Sequence, residues 1–287
     1  MTTKFGRNYK LEIEIDPNTN ESVVIDYPIT VTFSIIRNTL ASANTGVFSI
    51  YNLKETTRRK IYQDRYDTST YRRIVFDAGY GKGLSNIFAG NLRQAYSSRR
   101  GTDWVTEINS FDGGFGIING NSSITFPKDT EKKTAIDRIV KDMPTIKDPV
   151  IGAIGGATTR GLTLMGNSWN IVKRLVGDQG EAFIDNEKAR VIKSNEVLNL
   201  PVHRIDSNTG LLETPKRHDA VLVIKMLFEP EVQVGQIVEI ESLETVNNGQ
   251  YKVMGVTHAG IISGAMNGEC STTLSLWLGT SILSKIV

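Results

Sequence analysis

The residues of this chain that could do chemistry are three histidines, one cysteine and a few acidic pairs. A zinc centre takes three or four side-chain ligands at short spacing. His203, His218 and His258 lie in separate segments, with neither an HExxH nor a CxxC pattern around them, so no metal and no cofactor is expected. His218-Asp219 offers two members of a triad, but neighbours on a strand point to opposite faces, and no G-x-S-x-G elbow accompanies them. Gly79-Tyr80-Gly81-Lys82-Gly83 has the glycines of a phosphate loop. Such a loop opens a helix and ends in Lys-Ser or Lys-Thr, whereas here a strand pattern follows; Gly113-Gly114-Phe115-Gly116 fails in the same way. Glycoside hydrolysis needs two carboxylates at a set separation in a cleft, one with a raised pKa. Glu181 with Asp185, and Glu229 with Glu231, read instead as solvated strand ends. Trp104, Trp169 and Trp277 are expected to be core anchors, because each ring removes a large apolar area from water. No catalytic set is expected.

Composition excludes further classes. The chain has 287 residues, 39% hydrophobic and 22% charged, with a formal net charge of +2. That is ordinary for a folded protein long enough for two domains. Tight nucleic-acid binding rests on clustered, unbalanced Lys and Arg, and the pairs Arg58-Arg59, Arg72-Arg73, Arg99-Arg100 and Lys132-Lys133 are scattered among acids. Cys270 is alone, which rules out an internal disulfide and suits folding in a reducing cytoplasm. The opening MTTKFGRNYKLEIEI runs straight into alternation, so no signal peptide is expected. No run of about 20 apolar residues is present to span a membrane as a helix.

The elements follow from periodicity. The stretch VTFSIIRNTLASANTGVFSIYNL, residues 31–53, holds two strands of period two around a small polar connector. That connector is Asn38, Thr39, Leu40, Ala41, Ser42, Ala43, Asn44, Thr45 and Gly46, longer than a two-residue hairpin turn, and is expected to be either a protruding contact loop or disordered. A strand is expected over 9–15, a short helix after 52 capped by Asn52 and Glu55, and strands over 73–78, 86–95 and 102–110. From residue 127 the period becomes helical: Ala135, Ile136, Ile139, Val140 and Met143 share a face, and Pro144 ends it. Residues 145–161 read as a loop or linker. A second helix starts at Ser168 as N-cap and stops at Gly177, followed by a hairpin through 185–188. From residue 210, strands return at 220–228, 232–240, 251–258 and 271–278.

The phrases FSI-R, ASANTG-FSIYNL, AGYGKG, GNSWNIVKRLVGDQGEAFIDN, and VGQIVEI with NGQYKVMGVTHAG and STTLSLWL resemble baseplate hub proteins of contractile-tailed bacteriophages and the N-terminal part of type VI secretion spike proteins. The resemblance implies a mainly β chain, α+β overall: two tube-forming antiparallel β-barrel domains, 1–126 and 210–287, sharing a fold without sharing letters, around a small α/β domain, 127–209. It further implies a homotrimeric ring that binds the tail tube protein, the central spike protein and other baseplate proteins; there the 38–46 connector, by its length, is the expected contact on the tail-tube side. DNA would be only passing cargo, and the virion tail baseplate, assembled in the host cytoplasm, its location. A phage tail cell-wall hydrolase or carbohydrate-binding module is the alternative, and an adaptor that forms no ring is a third reading.

Overall fold

A computed structural model describes residues 4–286 apart from 20, 41–42, 68–69, 219–220, 266–267 and 278–282. Alternation builds the first region. In β1 (Arg7–Asp16) it turns Tyr9, Leu11 and Ile13 inward. β2 (Glu21–Asp26) folds back on β1, a strand the periodicity above does not announce. β3 (Val31–Asn38) and β4 (Thr45–Tyr51) pair antiparallel as expected. After α1 (Glu55–Ile61) come β5 (Arg73–Tyr80), the eighteen-residue β6 (Gly83–Arg100) and β7 (Asp103–Phe111).

The middle region holds α2 (Gly114–Asn119), β8 (Asn121–Phe126), α3 (Lys132–Val140), β9 (Lys147–Ile151), β10 (Leu162–Asn167), α4 (Ser168–Val176), β11 (Gly180–Asp185) and β12 (Lys188–Lys193). The last region holds β13 (Glu196–Val197), β14 (His203–Ile205), β15 (Lys216–His218), β16 (Val221–Leu227), β17 (Ile237–Ile240), β18 (Gly249–Ile262), β19 (Cys270–Trp277) and β20 (Ser284–Lys285). The fold is mainly β with an α/β middle. The expected ends of the strands at 220–228 and 271–278 fall on Ala220 and Leu278, which lie outside the described residues.

One sheet of thirteen strands joins the first and last regions in the order β15-β16-β19-β18-β3-β4-β7-β6-β5-β1-β2, with β17 also on β18 and β14 on β17. The path is open, ending at β15 and β2. Within it the order β3-β4-β7-β6-β5 is repeated by β15-β16-β19-β18-β17, antiparallel at every step. These two five-strand units meet where β3 pairs with β18. Buried side chains form three clusters: one in the first unit with β1, one around α3 and α4, and one in the second unit.

Four local expectations are corrected. Asn52 does not cap α1; it adopts a left-handed backbone (φ +56°) and bonds Asp103 and the Trp104 N–H, and Lys54 takes the N-cap position. Residues 145–161 contain β9, which pairs parallel with β12. Asn167, not Ser168, caps α4, accepting from the Asn170 N–H at 3.1 Å. Trp104 is 40% exposed, because its strand neighbour Val105 takes the inward position. Its ring is covered instead by the Arg58 guanidinium at 3.9 Å.

Candidate functional site

The expected contact loop is shorter than its sequence suggests, and tied down at both ends. Asn38 ends β3, while Thr45 and Gly46 already belong to β4. Thr39 is buried, its N–H donating to the Met254 carbonyl at 3.0 Å. Asn44 is buried too: its Oδ1 accepts from the Asn38 N–H at 2.9 Å, and its Nδ2 donates to the Ile184 carbonyl at 2.8 Å. A side chain at Gly46 would press on Phe48, Phe88 and Ser110, each 3.0 to 3.1 Å from the Cβ position, so any larger residue here has to shift these side chains by a few tenths of an ångström. Leu40 points outward, 75% exposed; Ala43 is half-buried, and Ala41 and Ser42 lie outside the described residues.

Asn44 leads to a junction of all three regions. Inward-facing β3 residues Val31, Phe33 and Ile35 are followed on the same face by Arg37, which is also fully enclosed. Its guanidinium donates to both oxygens of Asp185, Nε to Oδ1 at 2.7 Å and Nη2 to Oδ2 at 2.6 Å, the bidentate geometry that favours arginine. Asp185 opens the β11–β12 turn, in which Asn186 and Glu187 hold left-handed backbone at φ +52° and +60°. That turn is inserted into the first unit. Both its N–H groups donate to Asp112, Asn186 at 2.6 Å and Glu187 at 2.7 Å. The Asn186 side chain accepts from the Ala89 N–H at 2.9 Å, and Glu187 accepts from Tyr71 and from Arg73.

The electrostatics are those of enclosure. Burial, then the Asp185 carboxylate, pushes Asp112 up to about 8 against the pull of the two backbone N–H groups. Burial, then Arg37, pushes His258 down to about 3. His258 Nδ1 lies 3.0 Å from the Thr272 hydroxyl, which accepts from the Glu229 N–H. Arg37 Nη1 and His258 Nε2 have no partner among the described residues. Beside the junction an open cleft of about 590 Å³ is lined by Arg73, Asn86, Arg190, His203, Glu231 and Gln236, among others.

The acidic pairs do not converge. Asp185 is bound to Arg37, Glu181 faces Lys252 at 3.6 Å, and Glu229 pairs with Lys4 at 2.9 Å. Of the histidines, His203 sits in β14, His218 is exposed in β15, and His258 is buried in β18; Asp219 lies outside the described residues. Among the described residues no three His, Cys, Asp or Glu side chains gather to hold a metal ion. Sequence reasoning missed Arg37, Asp112 and Asp185 as one cluster. The available signal was Arg37 itself, a charge in the inward register of an apolar row.

Residues 10–259 match the family model described as baseplate hub gp41. The chain belongs to that family. This hub is a structural protein of a phage tail baseplate. Comparison with solved structures shows the same fold in the 43 kDa tail protein of prophage MuSo2 from Shewanella oneidensis, at a TM-score of 0.65 and 7% identity, covering 94% of the hub and 96% of that chain. The tail protein from Neisseria meningitidis MC58 gives 0.58 at 12% identity over 95% and 97%. The E. coli c3393 protein, a component of the type VI secretion system, gives 0.61 at 9% identity over 91% and 76%. No curated protein sequence matches the hub.

Proposed function

We propose that three copies of this hub close into a ring that joins the tail tube to the central spike and surrounds the passage for DNA. The observation that carries the reading is the twice-used five-strand order in one open sheet. Two equivalent units per chain and three chains give six positions, matching a sixfold tube, and the open ends of the sheet leave edges for neighbours to satisfy. In this reading the units are the two tube-type barrel domains, bounded at 1–126 and 210–287, with 127–209 inserted between them. The core around α3 and α4 supports a separate middle domain, while the other two draw residues across these bounds, Phe228, Ile262 and Cys270 into the first and Phe183 and Ile192 into the second.

The ring works mechanically, without catalysis. Asp112 and His258, whose protonation burial displaces strongly, are enclosed and engaged in packing. A net charge of +2 suits a channel that lets DNA pass without holding it. Leu40, exposed in the segment between β3 and β4, contacts the tube protein, and other baseplate proteins bind outside the ring. Assembly takes place in the host cytoplasm without membrane insertion; among the described residues no helix is long and apolar enough to cross a membrane.

Light scattering and negative-stain microscopy of the purified chain test this. The expected result is a trimer whose end-on views show a central hole. A monomer alone, with tube protein and with spike protein would overturn it. Leu40→Asp should abolish binding to the tube protein while leaving the urea midpoint unchanged; unimpaired binding would remove the loop from the interface.

A further inference from the structure

The two five-strand units agree in register as well as order. One row of paired residues crosses the first unit as Ile36, Thr45, Phe111, Asn91 and Arg73. Its counterpart crosses the second as His218, Val221, Trp277, Lys252 and Ile237. Directly beyond this row both units contain the same irregularity. β6 slips against β7 between Leu92 and Gln94, and β18 slips against β19 between Val253 and Gly255. A bulge at the same place in both ladders is a built feature of the unit, since it bends the strand and re-aims its edge. The outer neighbour stops at the same place too: β5 leaves β6 at Asn91, and β17 leaves β18 at Lys252.

Past the bulge the units differ. The extension of β18 is filled by β3, from Asn38 opposite Gly255 to Val31 opposite Ile262. The extension of β6 runs on to Arg100, and on its side away from β7 the described residues make only the bridge between Gln63 and Ala95. The counterpart of β3 is β15, which ends the sheet path and has no strand on its outer side among the described residues. One chain therefore contains one filled seam and the two unfilled halves of another.

We propose that β15 of one copy pairs antiparallel with the β6 extension of the next copy, repeating between subunits the β3–β18 seam found within the chain. The register follows from the filled seam. Ile36–Thr257, Ile35–His258 and Ser34–Ala259 become His218–Tyr96, Arg217–Ser97 and Lys216–Ser98. Each basic side chain then lies opposite a hydroxyl-bearing one and never directly opposite another cation, the arrangement that cross-strand pairs require. The contact is head-to-tail, using two different surfaces of the same chain, and such contacts form a ring when their rotation closes. Lys216, Arg217 and His218 also keep the free edge from indiscriminate pairing in the unassembled copy. This inference rests on the ring reading.

Disulfide trapping tests it in the full chain, with Cys270→Ser so that the introduced thiols are the only ones. Ser97→Cys with Arg217→Cys should convert the monomer band on a non-reducing gel to a closed three-chain species on mild oxidation. Ser97→Cys with Thr214→Cys, out of register, should not. A trimer by light scattering that leaves the Ser97/Arg217 pair uncrosslinked would overturn the seam and leave the ring standing, whereas a monomer under every condition would overturn both. Hydrogen exchange on the unsubstituted chain covers the case of a variant that misfolds. Amides in 96–100 and 214–218 should gain protection from dilute monomer to trimer, and no gain there would overturn the seam.

Discussion

The two five-strand units share a ladder and differ in what fills it. The first is packed by tilted aromatic rings, with Phe76 at 5.0 Å from Phe48 and 5.1 Å from Phe33, and is flanked by β1 of its own region. The second has aliphatic contacts from Leu222, Ile224, Val256 and Leu274, and takes Phe183 and Ile192 from the middle region. Equal topology with unequal filling shows that order and register are carried by alternation, turns and the bulge, and that the core residues supply stability on top. The edges differ as well. The strand that is paired on both sides within the chain has Val31, Phe33 and Ile35 on its inner face, while its counterpart, paired on β16 alone among the described residues, is Lys216, Arg217 and His218, all exposed.

The largest break in this comparison is at the junction. Asp185→Ala leaves Arg37 enclosed without a counter-charge and should cost about 3–5 kcal/mol, read as a lower urea midpoint. Arg37→Met with Asp185→Leu should recover most of that loss; equal instability of the double variant would show that the pair acts through shape rather than charge. Phe76→Ala should cost about 3–5 kcal/mol and sharpen the question of independence. Faster hydrogen exchange confined to β1, β5 and β6 would make the first unit a separate cooperative block, while loss of protection in β16 and β19 as well would show that the β3–β18 seam couples the two.

Protonation gives an intermediate effect with two opposite signs. Asp112 is raised in the folded chain from 3.8 to about 8, so its contribution is full below about 4 and lost as pH climbs through 8. His258 is lowered from 6.5 to about 3, so its contribution is present above 6.5 and lost as pH falls towards 3. Urea midpoints across pH should therefore fall on both sides. Asp112→Asn should flatten the alkaline limb and His258→Gln the acid limb; unchanged limbs would remove these groups as their cause. The smallest effect is at the surface: Glu55→Ala breaks an exposed helical pair with Arg59 and should shift stability by about 0.5 kcal/mol or less.

Much of the fold was legible because strands buried on one face alternate, as β1, β3 and β4 do plainly, while β16 reads as a near-continuous apolar run. β9 was not. It contains Pro149 and a left-handed Asp148, and is a strand only because β12, some forty residues on, lies parallel beside it. The junction was hidden for the same reason: Arg37 and Asp185 are 148 positions apart, and nothing local to either announces the other. The loop at 38–46 reads as a protrusion because it is longer than a hairpin turn, and nothing local announces that Asn44 ties it to Ile184 of the middle region. The shared bulge leaves no trace in letters, since Leu92 and Val253 stand among unrelated neighbours.

The Gln63–Ala95 bridge has a consequence for how subunits are timed around an axis. A strand entering along β6 from Arg100 in the proposed register meets Gln63 already bonded at Ala95, next to Tyr96, the proposed partner of His218. Further sliding is blocked, and with it the one-residue slip that would turn every side chain to the wrong face. In the proposed ring the bridge is the index pin of a dial: each subunit stops at the same angle to the last, and three identical steps come round to where they began.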